Sequence, residues 1–374
     1  MTAQSSKRPG APCGDAVAGE RTATSTTLIC ADGMGSGIKA HVAAEMCAAR
    51  ALELLRVGFS LRRAFASLVR TMEQAKRDHT PYVAFSLVRV LNDGETTVLS
   101  YEAPGPILIE RHHATALPQR TVVVESAVTE ETNCHLAPGE GVLVFSDGVS
   151  QAGLGGMLSR GWQTEGAASF VNDLCSSGTP LADIPGRVQE KAVQYSAGTV
   201  GDDVTAALAL CRVGNVVTIL TGPPGTRQKD GEAAGKLLKS PGAKVVCGAT
   251  TADVVARYLG TEVSIDREVD SLLAPPSYVI EGVDLVTEGA VTLNQLYNVL
   301  DEDPETFDEI SGVTRLYDML RGADRVNLIV GTAQNPANAH VSFRQQGIMP
   351  RARIVPMIAD KLREAGKLVV VEKV

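Results

Sequence analysis

Aspartates border several apolar stretches of this 374-residue chain, namely Asp15, Asp32, Asp147 and the adjacent pair Asp202 and Asp203. Carboxylates gathered at one end of a sheet repel one another, and hard cations such as Mg²⁺ and Mn²⁺ relieve that repulsion. Glycines at 33, 35 and 37 free the backbone after Asp32, so a carbonyl and a side-chain oxygen can point at one ion. An N-capping aspartate would explain Asp32 alone equally well. Taken together, the acidic positions favour a metal site.

Predicted strands and helices position these aspartates. Clusters of β-branched and apolar residues predict strands at 26–31, 82–91, 96–102, 107–111, 121–125, 141–146 and 204–212. Helical periodicity predicts helices at 37–55, 61–75, 164–177 and 185–196. Ser60 is expected to cap the second helix, and the apolar positions 38, 42, 46, 49 and 52 of the first helix are expected to be its packing face. Segregated strands and helices indicate an α+β layered architecture instead of a Rossmann fold.

The pattern changes near Asn215, where strands and helices begin to alternate. Strands are predicted at 216–220, 244–247, 285–288, 326–330 and 368–371, with helices at 230–238, 252–258, 292–300 and 359–365. We therefore predict one domain over 1–213 and a smaller α/β domain over 214–374. The turn at 221–226 begins like a P-loop. However, Arg227-Gln228-Lys229 stands where Gly-Lys-Ser/Thr is needed, which argues against an ATPase site.

Composition narrows the classes of function. The net charge of −8 argues against nucleic acid as the main partner, and no apolar run reaches the roughly 20 residues that a membrane span needs. Seven cysteines form no CxxC pair, which indicates reduced cysteines in a cytoplasmic protein. Residues 1–12 show no signal peptide and are expected to be mobile.

The ordered set of motifs resembles the SpoIIE-type branch of the PPM (PP2C-like) metal-dependent protein serine/threonine phosphatases. The set comprises GD at 14–15, DGMGSG at 32–37, SDG at 146–148 and DDVT at 202–205. The segments 98–108 and 136–140 are also similar to connecting segments of that family, although the usual histidine of the first is absent. The resemblance covers about 10–213 and implies a β-sandwich with helices on its outer faces.

The resemblance also implies a catalytic site. Asp32, Asp147 and Asp202 would hold two Mn²⁺ or Mg²⁺ ions, with the Gly33 carbonyl as a further ligand, and Asp15 would orient metal-bound waters. Two such ions, about 3.5–4 Å apart, can acidify a water that attacks phosphorus in line.

Two further choices follow from the resemblance. The family pattern makes the first aspartate of the final pair the ligand, so Asp202 is chosen over Asp203. Relatives often contact phosphate through a basic residue before the GD motif, and Lys7 and Arg8 are the basic residues available there.

The implied activity is hydrolysis of phosphoserine or phosphothreonine on a bacterial regulatory protein, of the anti-sigma-antagonist kind. Residues 214–374 would regulate the enzyme or dock its substrate, and a homodimer is compatible with this assignment. One alternative is a catalytically silent signalling module, which the complete acidic set disfavours. Another is a small-molecule-binding protein that acts through its C-terminal half, which the incomplete P-loop makes weaker.

Overall fold

The computed structural model describes residues 1–8, 10–22, 24–35, 37–197, 201–265, 277–302, 311–333 and 348–374. The chain forms two compact units, Met1–Val213 and Gly214–Val374, and each has hydrophobic clusters of its own. Among the described residues, no helix is long and apolar enough to cross a bilayer.

The first unit contains two antiparallel sheets. Its strands are β1 (Thr2–Ser5), β2 (Asp15–Arg21), β3 (Ser25–Gly33), β4 (Val83–Leu91), β5 (Glu95–Tyr101), β6 (Ile107–Ile109), β7 (Ala114–Ala116), β8 (Arg120–Val124), β9 (Ala127–His135), β10 (Gly141–Phe145) and β11 (Val204–Leu210). One sheet has the order β1-β11-β10-β6-β7, and the other has the order β2-β3-β4-β5-β9-β8. Leu28 and Val98 of one sheet share a buried cluster with Val144 and Ala207 of the other, so the sheets form a sandwich.

Helices cover both outer faces of this sandwich. They are α1 (Ile38–Arg56), α2 (Leu61–Arg77), α3 (Asp147–Ser150), α4 (Gln163–Ser176) and α5 (Ile184–Tyr195). α1 and α2 pack on the β2–β8 sheet, where Phe65 meets Phe85 edge to face. α3, α4 and α5 share a buried cluster with β10 and β11 of the other sheet. The predicted α+β sandwich flanked by helices is confirmed.

Two expectations for the N-terminal region are wrong. Residues 2–5 form β1, which pairs with β11 in a regular antiparallel register, so they are part of the sheet and not a mobile lead-in. In α1, Ile38 and Met46 are 70% and 67% exposed, and the buried face consists of small residues such as Ala44 and Ala48. Small side chains let α1 lie close to the sheet, so its alanine face is the buried one. The periodic spacing of the bulky residues therefore predicts the exposed face of α1 instead of the buried face.

Local sequence signals explain why the cap of α2 was predicted and why one strand was not. Ser60 caps α2 as predicted, since its side chain accepts a hydrogen bond from the Arg63 backbone N–H. β9 has no sequence prediction because its Thr and Glu residues obscure the strand pattern.

The second unit contains one sheet with helices on both faces. Its strands are β12 (Val216–Thr221), β13 (Ala243–Cys247), β14 (Ser264–Ile265), β15 (Ser277–Val279), β16 (Leu285–Thr287), β17 (Arg325–Val330) and β18 (Leu368–Lys373). Its helices are α6 (Asp230–Lys239), α7 (Ala249–Leu259), α8 (Ala290–Val299), α9 (Gly312–Gly322) and α10 (Arg351–Glu364). The sheet order is β14-β15-β16-β13-β12-β17-β18, and the five strands from β16 to β18 in that order are parallel.

The helices divide between the two faces of this sheet. α6 and α7 share one buried cluster, and α8, α9 and α10 share the other. The predicted smaller α/β domain is confirmed. α10 begins well before the predicted helix at 359–365, because Pro356 inside it interrupts the helical pattern in the sequence.

Candidate metal centre

β2 and β3 bring Asp15 and Asp32 together, because the two residues stand directly opposite each other in the antiparallel register. Asp15 is only 3% exposed, and its Oδ2 has no hydrogen-bond partner among the described residues. Gly33 follows at the end of β3, where a Cβ would lie 2.2 Å from the carbonyl oxygen of Ala40. Glycine is therefore required for β3 and α1 to approach this closely.

Asp147 reaches the same point from the other sheet. It follows β10 and is the first residue of α3, with Ser146 at the N-cap. Its carboxyl group lies close enough to that of Asp32 for each to shift the pKa of the other. Gln151, one turn later in the chain, donates from Nε2 to Asp147 Oδ2 at 2.9 Å. The end of β10 thus completes a pair of facing carboxyl groups.

The turn that carries Asp147 is held against β11. The Thr205 backbone N–H donates to Ser146 Oγ at 3.0 Å, and the Ser146 N–H donates to the Thr205 carbonyl at 3.0 Å. A Cβ on Gly148 would lie 2.0 Å from the carbonyl oxygen of Asp203. Ser146 and Thr205 also lie near the carboxyl group of Asp15, where they lower its pKa in part against the effect of burial. These contacts link the turn that carries Asp147 to the segment that carries Asp203, and no local sequence signal predicts them.

The adjacent residues Asp202 and Asp203 have different surroundings. Asp203 is 5% exposed, and its carboxylate accepts the backbone N–H groups of Lys7 at 2.8 Å and Gly14 at 3.0 Å. The Asp202 side chain is 52% exposed, and its Oδ1 lies 2.8 Å from Lys7 Nζ. Asp203 therefore holds the backbone together, whereas Asp202 remains accessible to a ligand.

Burial and mutual repulsion dominate the electrostatics. Burial, aided by the charges of Asp15 and Asp147, raises the pKa of Asp32 to about 9. Burial also raises the pKa of Asp15 to about 6, and it raises the pKa of Asp147. Burial lowers the pKa of Lys7, but the hydrogen bond to Asp202 and the surrounding negative charges raise it overall. A site of this kind favours the binding of a proton or a cation.

The oxygen donors of these residues suit a hard divalent cation. The groups are carboxylates and a backbone carbonyl, which are the ligands that Mg²⁺ and Mn²⁺ prefer. The unpartnered, buried Asp15 Oδ2 lies within this acidic cluster. As the side chains stand, no three His, Cys, Asp or Glu groups of the described ranges converge closely enough to hold an ion.

An open cleft of about 600 Å³ borders the acidic cluster, and its lining includes Lys7, Arg8, Gly148, Gln151 and Asp202. Of the predicted site residues, Asp202 and the two basic residues of the N-terminal segment therefore line it directly. Gln151 was not predicted, although its spacing of one helical turn after Asp147 was visible in the sequence. The cleft is open enough to admit a side chain presented by another protein.

Several solved structures match part of the chain at low sequence identity. The RsbU and RsbW domains of a Mycobacterium tuberculosis protein match with a TM-score of 0.48 and 15% identity, over 63% of this chain and 66% of that one. The PP2C phosphatase domain of Bacillus subtilis SpoIIE, with a fragment of its regulatory domain, matches with a TM-score of 0.47 and 16% identity, over 56% and 60% of the two chains. The chain thus spans less than two thirds of the length of either match.

A third match is the SiaA PP2C domain of Pseudomonas aeruginosa, with a TM-score of 0.44 and 15% identity, over 57% of this chain and 85% of that one. No curated protein matches the chain. The family model for Stage II sporulation protein E (SpoIIE) matches residues 22–212, just over half of the chain, and this stretch includes Asp32, Asp147 and Asp202. The resemblance read from the motifs is thereby confirmed, and the chain belongs to the SpoIIE family.

Proposed function

We propose that this protein is a metal-dependent phosphatase that hydrolyses phosphoserine or phosphothreonine on a bacterial regulatory protein. The observation that supports this most strongly is the gathering of Asp15, Asp32, Asp147 and Asp202 beside one open cleft. Membership of the SpoIIE family supports a phosphatase fold, and the regulatory substrate of the anti-sigma-antagonist kind is part of the proposal.

Asp32, Asp147 and Asp202, with the Gly33 carbonyl, would hold two Mn²⁺ or Mg²⁺ ions. When bound, such ions acidify water and neutralise charge on phosphoryl oxygens. Asp15 would accept hydrogen bonds from water through its buried Oδ2, which has no partner among the described residues.

The basic residues would bind the anionic substrate. Lys7 and Arg8 line the cleft and bring positive charge to the edge of a strongly acidic site. Lys7 is held in place twice, by its backbone N–H and by its ammonium group. We assign to these two residues the contact with the phosphoryl oxygens of a phosphorylated side chain entering the cleft.

Hydrolysis of p-nitrophenyl phosphate and of a phosphoserine peptide, each with and without Mn²⁺, tests the proposal. Asp202→Asn should lower Mn²⁺-dependent turnover about 100-fold or more, because even residues that only orient metal ligands cost about 10- to 100-fold. Asp173→Asn is a matched control, since Asp173 is an exposed aspartate on α4.

Two outcomes would contradict the assignment. Full activity of Asp202→Asn would remove this residue from the metal site. Binding of Mn²⁺ by the wild-type protein without hydrolysis of either substrate would support the silent signalling module instead.

A further inference from the structure

Gln151 is held against Asp147 by two hydrogen bonds. Its backbone N–H donates to the Asp147 carbonyl oxygen at 2.7 Å, and its side-chain Nε2 donates to Asp147 Oδ2 at 2.9 Å. The short helix α3 explains this geometry, because residues four apart in a helix are neighbours on its surface. An ionised carboxylate can only accept a hydrogen bond, so the amide nitrogen of Gln151 is the group that faces it.

Packing fixes the backbone on both sides of Gln151. Val149 is fully buried and Ala152 nearly so, and both belong to the cluster that α3 shares with β10 and β11. Gly161, at the end of the loop that follows, returns to the same turn with a φ of +74°. A Cβ on Gly161 would lie 2.8 Å from the Ser150 carbonyl oxygen and 3.0 Å from Gln151 Cα. The loop therefore packs directly on residue 151, and glycine is required for this contact.

The side-chain hydrogen bond controls the orientation of the Asp147 carboxyl group. A carboxyl group rotates in a broad, twofold well about its Cβ–Cγ bond, so packing alone determines its plane poorly. The amide of Gln151 gives this group a directional partner on one oxygen. Because the amide is neutral, it orients the carboxylate without competing with a metal ion for its charge. The contact of Lys7 with Asp202 differs in this respect, since the ammonium group is itself a cation.

Gln151 lies at the edge of the cleft. It is exposed and lines the cleft together with Lys7 and Asp202. An exposed pair of glutamine and aspartate four residues apart adds little to the stability of a helix. The main effect of the contact therefore falls on the direction of the Asp147 carboxylate and not on the folding of α3.

We propose that Gln151 is a positioning residue of the phosphatase, whose amide holds the Asp147 carboxylate in the orientation that binds the metal ions. This inference rests on the proposed function, in which Asp147 is a metal ligand. Removal of a group that orients a metal ligand typically costs about 10- to 100-fold in metal affinity or activity. Because Gln151 acts through Asp147, we expect it to affect metal affinity and turnover but not the binding of the phosphorylated substrate.

Calorimetric titration of the full chain with Mn²⁺, in the absence of substrate, tests the role of the amide. Gln151→Met keeps an unbranched side chain but has no N–H donor, so its Kd for Mn²⁺ should rise about tenfold. Gln194→Met is the matched control because Gln194 is an exposed glutamine on α5, and its Kd should stay within about twofold of wild type. In EDTA, Gln151→Met should melt within about 2 °C of wild type, which separates metal binding from folding.

Kinetics at saturating Mn²⁺ distinguish positioning from direct contact with the substrate. On a phosphoserine peptide, kcat of Gln151→Met should fall about tenfold while KM stays within about twofold of wild type. A higher KM with an unchanged Kd for Mn²⁺ would place Gln151 in contact with the substrate and would overturn the proposal.

A second pair of variants displaces Gln151 without replacing it. Gly161→Ala would bring a Cβ against the backbone of residues 150 and 151, so its Kd for Mn²⁺ should rise severalfold. Gly155→Ala is its control, because Gly155 in the same loop has a φ of +73° but nothing within 4 Å of an added Cβ. Both alanines carry similar backbone strain, so the difference between the two variants measures the contact with residue 151.

The proposal is overturned if the wild-type protein binds Mn²⁺ and Gln151→Met binds it with the same Kd. That result would leave the proposed phosphatase function intact, since Asp147 would then bind metal without the help of Gln151. Absence of Mn²⁺ binding by the wild-type protein would contradict the metal-dependent function itself, and the positioning role with it. The wild-type titration therefore distinguishes the two failures.

Discussion

The ammonium group of Lys7 lies 2.8 Å from Asp202 Oδ1, and the backbone N–H of the same residue donates to Asp203 Oδ1 at 2.8 Å. One residue of the N-terminal segment thus contacts both members of the aspartate pair. The backbone contact fixes the segment beside the cleft, whereas the ammonium group occupies one oxygen of a proposed metal ligand.

Lys7→Gln should therefore tighten Mn²⁺ binding and weaken substrate binding. The variant keeps the backbone hydrogen bond but removes a cation that competes for Asp202. A partly exposed ion pair is worth about 0.2–1 kcal/mol, so Kd for Mn²⁺ should fall by about one and a half- to fivefold, as measured by calorimetry. The KM for a phosphoserine peptide should rise. Arg8→Gln is the control for metal affinity, and weaker Mn²⁺ binding by Lys7→Gln would contradict the argument.

The raised carboxyl pKa values predict how the metal-free protein responds to pH. A carboxyl group with a folded-state pKa above its unfolded value binds protons more tightly when folded, so its contribution to stability falls as pH rises between the two values. For Asp32 that window extends from about 4 to about 9. In EDTA, the melting temperature should therefore fall between pH 6 and pH 8.

Asp32→Asn isolates this effect because the amide cannot ionise. Its melting temperature in EDTA should depend less on pH than that of wild type, and Mn²⁺ should restore less stability to it at pH 8. Equal pH slopes for the two proteins would show that Asp32 is not protonated in the folded state.

The close approach of Gly148 to β11 predicts a cost for any side chain there. In Gly148→Ala, the new Cβ would begin 2.0 Å from a backbone oxygen that cannot move aside cheaply, so we expect a loss of about 1–3 kcal/mol in the free energy of unfolding. Gly186→Ala is the control. Nothing lies within 4 Å of its added Cβ, and in a helix alanine should stabilise by about 0.5–1 kcal/mol. Urea denaturation measures both changes, and equal effects would refute the steric argument.

The sequence predicted the α+β class and the acidic strand ends because both depend on local patterns, whereas the sandwich followed from the family resemblance of the ordered motifs. Apolar runs that end in aspartate show which residues can lie close together. The order of the motifs shows which fold brings them together. What could not be predicted depends on contacts between distant segments. The pairing of β1 with β11 and the hydrogen bonds of Ser146 with Thr205 have no local signal. The buried face of α1 was missed because alanine carries little hydrophobic pattern, although it permits the closest packing.

Residues 1–213 should fold without the rest of the chain. The hydrophobic clusters of the first unit are formed entirely by its own residues. A fragment of these residues should show a cooperative melt. Its Kd for Mn²⁺ should lie within an order of magnitude of that of the full-length wild type or of the Asp173→Asn control. An insoluble or molten fragment would show that the boundary near Gly214 is wrong.

Removing 214–374 should also change the chemistry, if the second unit regulates the first. β11 begins two residues after Asp202, and β12 of the second unit follows β11 after a short linker, so a covalent route joins the second unit to one proposed metal ligand. Small displacements matter because Mg²⁺ and Mn²⁺ sites tolerate little misplacement of their ligands.

We therefore expect the 1–213 fragment to differ from the full chain in turnover of p-nitrophenyl phosphate and in the Mn²⁺ concentration that gives half-maximal rate. A domain that only docks substrate would leave both unchanged and would affect the phosphoprotein alone, because p-nitrophenyl phosphate needs no docking surface. Identical small-substrate kinetics in the fragment and the full chain would leave docking as the role of the second unit.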